Sequence, residues 1–164
     1  MRQVVLCWIV KDGQILLGMK KRGFGAGKWN GPGGKQKGEE SLEEIAVRET
    51  EEEFNIKIES GKLEKVAVIN FYFKDKPEHN QTVHVFMVRE WEGEPRESEE
   101  MAPKWFKTGE IPYDQMWIDD KYWLPEVLSG RKIFGEFHFS GEGERIDDFK
   151  ITDLSEPNEN LEPH

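Results

Sequence analysis

Residues 34–56, GKQKGEESLEEIAVRETEEEFNI, place glutamates where a folded helix ordinarily buries hydrocarbon. Ser41 followed by Glu44 is a capping box, so a helix starts at Leu42; Asn55, tolerant of the left-handed conformation, ends it after Phe54. At about 100° per residue, with Leu42 as zero, Ile45 points near 300° and Ala46 near 40°, which defines an arc facing the protein. Glu49, Glu52 and Glu53 fall at about 340°, 280° and 20°, inside that arc, whereas Glu44, Arg48 and Glu51 occupy the far side at about 180–240°. A charge run is usually a solvated face, but this azimuth argues otherwise. Carboxylates at such spacings repel by about 0.2–0.5 kcal/mol per pair, and desolvating them costs more unless a cation compensates. Mg²⁺ takes oxygen ligands at about 2.1 Å, keeps several waters and is completed by substrate phosphates. The helix therefore predicts bound Mg²⁺, with Mn²⁺ able to substitute.

The spacing runs Gly34, five residues, Glu40, seven residues, Arg48-Glu49, two residues, Glu52-Glu53, one residue, then Asn55-Ile56. It resembles the Nudix box. Thr50 stands where an aliphatic residue is typical and Asn55 where glycine is typical; neither removes a ligand, and Asn55 still adopts positive φ at a helix end.

The 164 residues, 36% hydrophobic and 12% aromatic, suit one domain with a real core. A net charge of -10 argues against duplex nucleic acid or anionic membranes as partners. A phosphate ligand needs local help, which Lys20, Lys21, Arg22, Lys28 and Lys35 supply just ahead of the acidic helix. Cys7, the single cysteine, sits in an apolar run as a buried small hydrophobe and suits a reducing, cytoplasmic setting. No stretch approaches the roughly 18 apolar residues of a membrane span, and no signal peptide precedes the first strand-like run. His79, His84, His138 and His164 lack zinc-like spacing.

Residues 4–10 read as a strand, Asp12-Gly13 as a hairpin turn and residues 14–18 as the returning strand. Residues 19–35 hold six glycines, four lysines and an arginine without periodicity, a long functional loop. Residues 63–73 and 82–91 read as strands, 104–107 as a short strand, 122–129 as a second helix stopped by Gly130, and 132–139 with 145–151 as a closing strand pair. The domain spans 1–154; the polar tail 155–164 is expected to be frayed. Strands interleaved with two helices give an α/β fold, and the Nudix resemblance implies an α/β/α sandwich around a mixed sheet.

Within that family, LLGMKKRGFGAGKWNGPGGK at residues 16–35 and MWIDDKYWLP at residues 116–125 resemble the mammalian-type MutT homologues, hydrolases of oxidised purine nucleoside triphosphates such as 8-oxo-dGTP and 2-oxo-dATP. The resemblance implies metal ligands at Glu49, Glu52, Glu53, Glu100 and the backbone oxygen of Gly33. It implies a base pocket of Asn30, Trp117, Asp119 and Asp120 with Phe24 and Phe71 as walls, and Lys20, Gly34 and Lys35 near the substrate. Val5 replaces a threonine of those enzymes and Gln81 a methionine, which bears on which purine is preferred. Glu53 is the expected base, with Glu49 and Glu100 competing; Arg48 is expected to pair with a carboxylate and brace the loop. Asp119 and Asp120, close like charges among Trp117, Tyr122 and Trp123, are expected to share a proton and so read several purine patterns. The alternatives are a Nudix hydrolase of methylated purine triphosphates, capped RNA ends or dinucleotides, and a non-catalytic nucleotide-binding module, which would need broken metal ligands. The family implies a monomer.

Overall fold

The computed structural model describes residues 1–154, and the tail expected at 155–164 lies outside the described residues. A mixed sheet forms the middle layer. Its strands are β1 (Arg2–Lys11), β2 (Gln14–Lys20), β3 (Trp29–Asn30), β4 (Gly33–Lys35), β5 (Glu64–Phe73), β6 (Gln81–Val88), β7 (Met101–Lys107), β8 (Ile133–Ser140) and β9 (Arg145–Asp153). The main path runs β3-β2-β1-β6-β5-β8-β9, with β4 pairing β1 and β7 pairing β2. The β1–β6 and β5–β8 pairs are parallel and the others antiparallel. Asp12 and Gly13 turn the first hairpin with φ of 52° and 75°, the two positive values that a tight two-residue loop demands.

Alternation along β1 decides which helix goes where. Val5 packs with Ile45 and Ala46 of α1 (Leu42–Phe54), and Cys7 and Ile9 pack with its Phe54. Trp8 and Val10 point to the other face, where Trp123, Leu124 and Val127 of α2 (Asp120–Leu128) join them in the main core. The sheet is thus covered on both sides, an α/β/α sandwich. Phe54, fully buried, alone contributes about 1.5–3 kcal/mol. α1 begins and ends where the sequence predicts: Ser41 accepts from the Glu44 amide, Glu44 accepts from the Ser41 amide, and Asn55 closes the helix at φ 62°.

Most boundaries fall within two residues of expectation, and the differences that matter to the site are these. The segment 19–35 is not all loop, because β2 runs to Lys20 and β3 and β4 lie within it. The strand expected to reach residue 91 stops at Val88, and the one expected from 104 begins at Met101 and pairs with β2 throughout. α2 starts at Asp120 rather than Tyr122, so Asp120 sits on its first turn and Asp119 is its N-cap residue. Cys7 is fully buried, and burial pushes its thiol up to about 12.

Candidate active site

α1 lies against β4, and the two glycines of that short strand permit the approach. A Cβ on Gly34 would stand 2.1 Å from Glu49 Oε2. The Gly33 amide donates to Glu53 Oε1 at 3.2 Å. Glu49 and Glu53 are 8% and 6% exposed, and the two carboxyls meet. Burial first, then the Glu49 charge, lifts the Glu53 carboxyl to about 8 against the opposing pull of the Gly33 amide.

Glu52 is a correction. It was expected inward, yet it is exposed and reaches only Arg48 Nη1 at 3.5 Å. Thr50 and Phe54 are also buried. Their azimuths of about 80° and 120° move the centre of the buried arc to about 30°, leaving Glu52 about 110° away. Glu100 does not join the pair either. Its carboxylate is held by Arg22 at 2.8 Å and lies 3.8 Å from Lys20, and the Arg22 hydrogen bond keeps that carboxyl below its usual range. Among the described residues no three acidic, histidine or cysteine side chains converge as a metal-ligating group. The donor set fits a hard cation nonetheless: two buried, touching carboxylates, one of them also bonded by Arg48, are the arrangement an oxygen-seeking divalent ion would neutralise.

Arg48 behaves as expected. Its Nε and Nη2 grip Glu40 at 2.5 and 2.9 Å and its Nη1 reaches Glu49 at 3.1 Å, tying the segment ahead of α1 to the helix. That grip holds Glu40 ionised and pushes the guanidinium higher still.

Beside Glu53 opens a cleft of about 370 Å³. Lys20, Phe24, Asn30, Gly33, Gly34, Lys35, Phe71, Trp117, Asp119 and Asp120 all line it, as do Val5 and Gln81. Glu49, Glu52 and Glu100 do not. Trp123, expected beside the aspartates, lines it too, whereas Phe73, Val83 and Phe139 were missed, as were Arg2, Val4, Leu6, Gly31 and Met101. Phe73 and Val83 lie two residues beyond Phe71 and Gln81, so strand alternation would have found them; Phe139 comes from β8 with no local signal.

Asp119 and Asp120 are each 3% exposed. Trp123 Nε1 donates to Asp119 Oδ2 at 2.8 Å, while Asp120 Oδ2 is buried without a partner among the described residues. Burial lifts Asp119 to about 6, and burial together with the Asp119 charge lifts Asp120 well above its ordinary value. Asn30 accepts from the Gly31 amide at 2.9 Å through Oδ1, which fixes the amide plane. The cleft therefore pairs an acidic end beside Gly33 with a deep, proton-bearing end between aromatic walls. Such a shape suits a phosphorylated ring.

Residues 1–127 match the NUDIX domain family, and the chain belongs to it. It is a hydrolase of the Nudix type, a class that acts with divalent cations. The chain is 46% identical to the oxidized purine nucleoside triphosphate hydrolase of Danio rerio and 44% identical to that of Mus musculus, in each case over 138 residues covering 84% of this chain and 86% of the relative. The crystal structure of the mutator MutT protein from Bacillus halodurans superposes with a TM-score of 0.80 at 28% identity, covering 92% of this chain and 97% of that one. No helix among the described residues is long and apolar enough to cross a membrane.

Proposed function

We propose that this Nudix hydrolase cleaves oxidised purine nucleoside triphosphates, of the 8-oxo-dGTP and 2-oxo-dATP type, to the monophosphate and pyrophosphate, and so clears damaged precursors from the nucleotide pool. One observation carries the reading: a buried, proton-bearing aspartate pair and Asn30 lie in the same cleft as Glu53. The two relatives named for this substrate class support it.

The purine enters between Trp117 and the phenylalanine walls. The protonated carboxyl of the aspartate pair donates to a ring oxygen, the ionised one accepts from ring N–H groups, and Asn30 adds a donor and an acceptor. Because the proton moves between two close oxygens, oxidised guanine and oxidised adenine both find partners. Lys20 and Lys35 face the phosphates. Glu49 and Glu53 would hold Mg²⁺, or Mn²⁺ in its place, with the Gly33 carbonyl beside them, and Glu52 and Glu100 would add oxygens only by leaving Arg48 and Arg22; the cation supplies charge neutralisation to the phosphate oxygens. Glu53 accepts the proton of the attacking water as the bond between the α- and β-phosphoryl groups breaks and pyrophosphate forms. A monomer is the expectation from the family, and the free, buried Cys7 suits the cytoplasm.

The test is pyrophosphate release with Mg²⁺ from a panel of normal, oxidised and methylated purine triphosphates, a dinucleotide and a capped RNA end. The expected outcome is the highest kcat/KM for an oxidised purine triphosphate; preference for any other member of the panel overturns the assignment.

A further inference from the structure

Phe24 is half exposed, at 50%, yet its ring has three aromatic neighbours from separate parts of the chain. Its centroid lies 4.9 Å from Trp117, 4.6 Å from His79 and 6.3 Å from Phe73. Phe24 and Trp117 line the cleft; His79 does not. The histidine therefore supports Phe24 from the outer side without reaching what the cleft holds.

The three rings are anchored unequally. His79 ends a single 3₁₀ turn, Pro77–His79, which starts at a proline and is fastened by the His79 amide to Lys76 O at 2.9 Å. The next residue, Asn80, accepts from the Phe73 amide at 2.6 Å. Trp117 is wedged by Gly25 and Gly143, where a Cβ would come within 3.2 and 2.9 Å of its ring, and Lys28 lies 5.3 Å over it. Phe24, by contrast, rides between Gly23 and Gly25, at φ 80° and 88°, with Gly27 at 88° beyond. The base of that loop is tied to β2 by Lys20 N to Lys28 O at 3.0 Å and Gly27 N to Lys20 O at 2.9 Å, and two turns, Ala26 N to Gly23 O and Lys28 N to Gly25 O, each at 3.1 Å, brace the tip as a unit whose glycines are the places where it can pivot.

We propose that His79 is a positioning residue for substrate retention: its ring holds Phe24 across the mouth of the cleft, edge on, making an aromatic clasp that opens and closes on the glycines of the loop. The proposal rests on the reading that a purine occupies this cleft. An edge-to-face aromatic pair is worth enough to change the open population of such a clasp by about three- to tenfold. The clasp acts on escape of the bound nucleotide and not on the phosphate chemistry at Glu53, so its loss shows in binding terms.

The experiment compares wild type, His79→Ala and His79→Phe in the full chain. It measures KM and kcat for 8-oxo-dGTP, the inhibition constant of the product 8-oxo-dGMP, and the melting transition. His79→Ala is expected to raise KM and the product inhibition constant together by about three- to tenfold, with kcat held or increased and melting unchanged, and His79→Phe to restore both. If the alanine variant does not fold, His79→Asn, which removes the ring and keeps polarity, serves in its place. The clasp is overturned by binding terms within twofold of wild type in the ringless variant, by a loss confined to kcat, or by a phenylalanine variant no better than the ringless one. Failure of wild type to turn over 8-oxo-dGTP would instead refute the substrate reading, so the two failures are distinguishable.

Discussion

Replacing Gly34 by alanine tests the carboxylate pair without touching a carboxylate. The backbone of Gly34 is not in the left-handed region, so alanine brings no conformational strain. Its Cβ, however, would lie 2.1 Å from Glu49 Oε2, 2.6 Å from Cδ and 3.2 Å from Cγ. Comfortable carbon contacts are about 3.5–4.0 Å, so the carboxylate must retreat by more than ~1 Å. Glu49 is buried and meets Glu53 and Arg48, which leaves it no nearby place that keeps both partners. A displacement of about 1 Å in a reacting assembly costs on the order of a hundredfold. The expected result is a drop of that size in kcat/KM, with half-saturation by Mg²⁺ moved to higher concentration and the melting transition within a few degrees of wild type. Gly33→Ala is the contrast: its Cβ would collide with the backbone oxygen of Val5 at 2.0 Å, so β4 must leave β1 and stability falls as well. The assay is pyrophosphate release over a Mg²⁺ titration, paired with urea denaturation. A folded Gly34→Ala enzyme with unaltered kcat/KM and unaltered Mg²⁺ dependence would refute the placement of Glu49 in the working site.

Asp119 and Asp120 keep their protons to higher pH when folded than when unfolded, Asp119 to about 6 and Asp120 higher. The folded chain therefore binds the extra protons from about pH 4 upward, and stability falls as pH rises through that window and past 6. Asp120→Asn is expected to flatten this profile and to be more stable than wild type at pH 8 in urea denaturation while losing discrimination among purines; a steeper profile would contradict it. Ser41→Ala removes one half of the capping box and is expected to cost about 1 kcal/mol by the same measurement, with kcat little changed. Mg²⁺ at ten to a hundred times its Kd is expected to add about 1.4–2.7 kcal/mol, reversed by chelation, because it relieves the Glu49–Glu53 repulsion; a melting transition insensitive to both would count against these ligands.

α1 was legible to the residue because its signals are local: a capping box at one end, a left-handed Asn55 at the other and a period between. The base cleft was legible through the family's motifs, since Asn30, Phe24, Trp117 and the aspartates converge only after the chain has folded. β3 and β4 were not legible. Two or three residues rich in glycine carry no alternation, and their extended form is imposed by β1 and β2 alongside. Glu52 was misjudged for a related reason. Two anchors at Ile45 and Ala46 fix an arc poorly, and the turn towards Thr50 and Phe54 came from hydrophobic neighbours on β1 and β2 that the helix sequence does not name.

The place of β1 in the sheet has a consequence for biogenesis. β1 pairs in parallel with β6, Val4 opposite Val83, so about 80 further residues must be synthesised after β1 before its second edge is covered. Until then its only partners are β2 and β4, and the row Trp8, Val10 stays bare. Nascent chains halted short of Val88 should therefore be the forms that chaperones hold and proteases remove. The segment bearing Trp117 and the aspartates, last of the pocket's walls but for Phe139, docks onto that row only after β6 has covered the strand's second edge.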